Sequence, residues 1–130
     1  MFGISRRRKI MLSERDERWN KFISDVCFRE ESTLSDIQRK AVLCFWYDAE
    51  MNNGGFSGYA DVYPDTDLKE LEAALRDIAN DDFADNLCKA VSEGENDGWQ
   101  ETDMAFYGFE PSLTSLLEEY VEANKDVIFD

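Results

Sequence analysis

Thr66-Asp67-Leu68-Lys69-Glu70-Leu71-Glu72-Ala73-Ala74-Leu75-Arg76-Asp77-Ile78 is the stretch that decides the fold class. Its apolar residues Leu68, Leu71, Ala74, Leu75 and Ile78 recur at the spacing of one helical face, with charged residues filling the places between. Thr66 is positioned to cap the helix that this pattern predicts. Moving outward, the same period returns on both sides. Downstream, Asp81 or Asp82 opens a helix whose inward residues are Phe83, Leu87, Ala90 and Val91, with Gly94 at its end. Pro111 suits the first helical position of a last helix through Leu113, Leu116, Leu117, Tyr120 and Val121. Between them, residues 95–110 supply apolar bulk without a clean period. Upstream, Phe56 to Tyr63 reads as one or two aromatic helical turns ended by Pro64. Before it, Ser35 and Gln38 form a capping box for a helix striped by Ile37, Ala41, Cys44, Phe45 and Met51, stopped by Asn52-Asn53-Gly54-Gly55. The first helix, capped by Ser13, carries Trp19, Phe22, Ile23, Val26 and Cys27. No strand-like alternation of useful length occurs. The expectation is an all-α fold, a single irregular bundle of five or six helices around an aromatic core.

Charge divides the chain. Residues 41–130 hold 22 acids against Lys69, Arg76, Lys89 and Lys125, whereas residues 1–40 hold ten basic residues and seven acids. Residues 1–12, with Arg6-Arg7-Arg8-Lys9, read as a basic, flexible segment, and residues 13–130 as the helical acidic domain. A body this acidic repels nucleic acid and anionic lipid and attracts basic protein surfaces. The same charge also serves plain solubility. With 43% hydrophobic residues the chain is too apolar for a disordered acidic tail. Cys27, Cys44 and Cys88 are odd in number and widely spaced, and read as three buried free thiols of a cytoplasmic protein. The arginine run lacks the apolar stretch that an export signal needs after it, and no segment reaches membrane-spanning length.

Catalytic signatures are missing. There is no histidine, no phosphate-binding glycine loop and no nucleophile elbow. Glu93, Glu95, Asp97 and Gly98 imitate the first half of a calcium loop, but Met104 stands where that loop needs a bidentate glutamate. No metal, cofactor or catalytic residue is expected. The acids that lie off the apolar stripes are Asp67, Glu70 and Asp77, then Asp81, Asp82 and Asp85, then Glu118, Glu119 and Glu122. Duplex DNA presents a phosphate about every 3.4 Å per strand. One helix with an acid every third or fourth residue presents one per roughly 5 Å. Imitating DNA therefore requires several helices, or two subunits, acting together.

The segment Phe45-Trp46-Tyr47-Asp48-Ala49-Glu50-Met51-Asn52-Asn53-Gly54-Gly55-Phe56-Ser57-Gly58-Tyr59 resembles a bacterial DNA-mimic protein family, formerly a domain of unknown function. The family pattern is an aromatic-rich helix ending in an acid, then Asn-Gly-Gly-Phe and a later aromatic. Glu50, Asn53, Gly54, Gly55, Phe56 and Tyr59 match it, while Gly58 and Ala60 depart from it. The resemblance spans roughly residues 35–125. It implies an all-helical fold, homodimerisation, and an acidic surface that occupies the DNA-binding site of a transcription regulator. The motif itself is expected to be structural, turning the chain and anchoring Phe56. The expected function is non-catalytic binding of a basic, DNA-binding protein through the nine acids, without direct nucleic-acid or membrane contact. An immunity or antitoxin protein neutralising a basic toxin is the alternative, and a small acid-dependent hydrolase the second.

Overall fold

The computed structural model describes residues 12–130, so the Arg6–Lys9 run lies outside the described residues. Seven α-helices and three single 3₁₀ turns make up the described chain: α1 (Glu14–Ser24), α2 (Asp36–Val62), α3 (Leu68–Ile78), α4 (Asp81–Glu93), α5 (Gln100–Gly108), α6 (Leu113–Ala123) and α7 (Lys125–Ile128). The all-α expectation holds, with one helix more than the upper count. The anticipated Phe56–Tyr63 turns join α2, while two short helices, α5 and α7, form in stretches without a strong period. α2 runs through the middle, with α3, α5, α6 and α7 packed on it, α4 on α3, and α1 on α6.

Caps set the helix starts. Ser13 accepts from the Asp16 N–H, and Ser35 with Gln38 forms the anticipated reciprocal box. Gln38 does a second job: its Nε2 donates to the Ile128 carbonyl at 2.9 Å, tying α7 to the start of α2. Two anticipated caps and one anticipated helix start are displaced by one or two residues. Asp67 rather than Thr66 caps α3, Asn80 rather than Asp81 or Asp82 caps α4, and Ser112 caps an α6 that begins after Pro111. In each case a short side chain with an acceptor oxygen one step from the helix reaches the free N–H groups best. α1 ends at Ser24, and Val26 and Cys27 enter the core from a 3₁₀ turn instead.

The core is aromatic, as its composition suggests. Tyr47 stands edge-on to Tyr59 and Phe106, and Phe83 edge-on to Phe106 and Phe109. Such edge-to-face pairs add about 0.5–1.5 kcal/mol each beyond area burial. Around them pack Phe22, Cys44, Met51, Leu71, Leu75, Leu87 and Leu117, all buried. Two inward assignments are wrong. Cys88 is exposed, because it sits one residue past Leu87 and so about 100° off the buried face. Val91 is 50% exposed, since it stands in the last turn of α4, over an open cavity at the start of α3. Of the other thiols, burial pushes Cys27 up to about 12 and Cys44 in the same direction.

Candidate partner-binding surface

The Asn-Gly-Gly-Phe stretch breaks α2 rather than ending it. Gly55 has φ +70° and ψ −168°, and helix resumes at once through Val62. A free end of helix therefore begins at Phe56, and its N–H is taken by Asp103 Oδ1 on α5 at 3.1 Å. A Cβ on Gly55 would lie 2.2 Å from Asp103 Oδ2, so glycine is needed twice, for the backbone angle and for the approach of this carboxylate. Phe56 and Tyr59 are buried, and Tyr59 Oη pairs with Thr66 Oγ1. Tyr107 Oη donates to the Met51 carbonyl just before the break. Asn53 and Gly54 are exposed, and no contact in the structure explains them.

Asp48, one turn earlier, is 6% exposed. It accepts from Thr114 Oγ1 on α6 and from Asn52 Nδ2 at 3.0 Å. Sequence reasoning passed over Asp48, Asp103, Tyr107 and Thr114. For Asp48 a signal was available: it continues the buried line Ala41, Cys44, Met51 at helical spacing, where a carboxylate is out of place. Burial raises the pKa of Asp48 against the lowering effect of its hydrogen bonds, and does the same to Asp103 against its bond from Phe56.

The sign of that shift gives a prediction. A carboxylate raised by folding holds its proton more tightly in the native state. Its contribution is favourable below the unfolded value, about 3.9, and diminishes as pH rises through the folded one. Asp48→Asn, which keeps a polar group against Thr114 and Asn52, is expected to raise Tm at pH 7 and to leave it unchanged near pH 3. Equal Tm at both pH values would refute the burial cost. Glu70, Glu72 and Glu122 act oppositely. Arg39, Arg76 and Arg18 lower them, so their support is present above the unfolded carboxylate pKa and lost as pH falls through the folded one.

The nine acids selected from sequence lie in different settings. Glu70 is bound by Arg39, and Asp77 by Lys40 at 2.6 Å. Arg76 holds Asp81 and Asp85 together with Glu72. Arg15 reaches Glu119 at 2.8 Å, and Arg18 makes a two-pronged pair with Glu122, which docks α1 on α6. Asp67 is the α3 cap. Only Asp82 and Glu118 have neither role among the described residues. Arg15 and Arg18 thus lie across acids of α6, Arg39 and Lys40 across acids of α3, and Arg76 serves three carboxylates between α3 and α4.

A family model described as DMP19-like protein matches residues 32–124. The chain belongs to the DMP19-like protein family. This is the DNA-mimic family that the Glu50–Tyr59 pattern resembles. Membership implies, in general terms, a DNA-binding protein as partner, and the DMP19-like family is not a known enzyme family. No curated protein and no solved structure matches the chain significantly.

The DMP19-like fold bears on the hydrolase alternative through its cavities. A cavity of about 360 Å³ gathers Glu31, Asp65, Asp67 and Glu70 around Arg39. There Arg39 holds Glu70 below the usual carboxylate range, the wrong direction for a general acid. The two carboxylates raised by burial, Asp48 and Asp103, do not line this cavity and are occupied as hydrogen-bond acceptors within the scaffold. No helix of the described residues is long and apolar enough to cross a membrane.

Proposed function

We propose that this DMP19-like protein is a non-catalytic DNA mimic, acting in the cytoplasm, whose carboxylates engage a basic surface of a DNA-binding regulator. The observation that carries the reading is the pairing of a DNA-mimic family fold with 22 acids against four basic residues over positions 41–130. Acids on α3, α4 and α6 are presented from rigid helices, so their spacing is set before the partner arrives, and association is steered by charge. The nine selected acids serve as acceptors for Lys and Arg, either directly or after exchange of an internal cation for one of the partner's. A second copy of the chain would extend the acidic surface toward the density of duplex phosphates.

Affinity capture from host lysate at low salt, with elution by rising salt and then by duplex DNA, tests this. The expected result is a DNA-binding protein released by both, because contacts that imitate those of phosphates are salt-sensitive. A single partner that binds no DNA and ignores DNA as competitor would replace the proposal with the immunity reading.

A further inference from the structure

An open cavity of about 250 Å³ lies between the α2–α3 turn and the end of α4, walled by Phe56, Tyr63, Leu68, Val91 and Trp99. No charged residue lines it. Across Leu68 and Val91 it continues into a second groove of about 280 Å³ between α3 and α4, where Lys69 and Glu72 sit. The walls are fixed. The Trp99 indole donates to the Ala90 carbonyl at 3.0 Å, and a Cβ on Gly94 would lie 2.0 Å from its ring. Phe56 is set by the Asp103 bond described above. A hollow with rigid aromatic walls asks little further ordering of whatever enters it.

The chain segments that supply its walls are acidic on both sides. Asp61 and Asp65 belong to the chain that forms one wall, and Glu93 and Glu95 follow Val91 on the other. All four are exposed, and none forms an ion pair among the described residues. Lys89, on the same helix as Val91, is committed to Glu101 at 2.6 Å and also feels Glu93 and Asp97. Imitation of phosphates gives no use to an apolar hollow, yet Asp61 and Asp65 neighbour its wall residues in sequence on one side and Glu93 and Glu95 on the other. Asp65 also lines the Arg39 cavity, and Glu93 a hollow beside Lys89.

We propose that this cavity is an anchor site for a basic protein segment: it takes one aliphatic or aromatic side chain, while Asp61, Asp65, Glu93 and Glu95 hold Lys and Arg residues on either side of it. This rests on the reading of a basic protein as partner and names the part of the molecule that selects it. Charge brings many basic segments near; the hollow distinguishes those with an apolar residue between their cations.

Two synthetic twelve-residue peptides of equal Lys and Arg content, one with a central Leu and one with Ser in its place, test this by calorimetry against the full chain. The Leu peptide is expected to bind about tenfold more tightly, the effect of burying part of one such side chain. It alone should shift the Trp99 indole resonance. Val91→Ser, at an exposed position that leaves Tm unchanged, should remove most of the difference. The combined change Asp61→Asn, Asp65→Asn, Glu93→Gln and Glu95→Gln should weaken both peptides alike and preserve their ratio. Equal affinities of the two peptides for the unaltered chain overturn the anchor and leave the basic-partner reading standing. Binding of neither also overturns it, with the lysate capture deciding the wider reading separately. A dimer of the free chain that dissociates on Val91→Arg overturns it too, because a second copy would then cover the hollow.

Discussion

Replacing Gly55 by alanine is expected to lower Tm by roughly 10 °C, the equivalent of about 3 kcal/mol in a domain of this size. Two costs add. A residue with a Cβ held at φ +70° is strained by about 1–2 kcal/mol. The added carbon would also lie 2.2 Å from Asp103 Oδ2, so this carboxylate must withdraw. Once it does, the Phe56 N–H at the restarted helix loses its acceptor in a buried setting, worth about 1–3 kcal/mol. Gly54→Ala, beside it in sequence, meets nothing within 4 Å and is expected to change Tm little. Thermal unfolding followed by circular dichroism separates the two. Equal losses would show that general helix propensity, and not the Asp103 contact, sets the requirement for glycine.

The second large effect concerns partner capture. Reversing Glu118, Glu119 and Glu122 together to lysine is expected to abolish binding of a basic partner, but two of those changes also injure the fold. Glu122 receives both prongs of the Arg18 guanidinium, and Glu119 receives Arg15. Lysine at either position would set like charges together and loosen α1 from α6. The cleaner variant is Asp82→Lys with Glu118→Lys, because neither residue holds an internal cation among the described residues. Partner affinity should fall about tenfold or more at low salt, with Tm unchanged, and the gap should narrow as salt rises. Undiminished capture by this variant would remove α4 and α6 from the proposed surface. Surface plasmon resonance against the regulator released in the capture experiment gives both the affinity and its salt dependence.

The helical architecture was legible because the Leu68–Ile78 period and the Ser35–Gln38 box are local signals. Each is complete within one turn or a few. Cap identities were less so, since Asp67 and Thr66, or Asn80 and Asp81, are chemically able to do the same thing, and the choice between neighbours is made by tertiary placement. At the Gly55–Phe56 pair the helix breaks and restarts around Asp103, 47 residues from Phe56, and nothing near either residue announces the contact. The acids show the same limit. Their distance from the apolar stripes is periodic and readable. That Arg15, Arg18, Arg39, Lys40 and Arg76 lie against six of the nine depends on which helices meet, which sequence spacing does not encode.

The unequal exposure of the three cysteines has a practical use. Cys27 and Cys44 are shielded, and the thiol of Cys27 ionises only near pH 12, so alkylating reagents will find them slowly. Cys88 is open to solvent and stands beside Leu68 and Val91 in the groove between α3 and α4. Local packing and the adjacent Glu72 hold its thiol above its ordinary value, so a maleimide dye should be coupled under mildly alkaline conditions. The natural chain therefore carries its own single attachment point for a fluorophore, placed where an arriving peptide would change its colour.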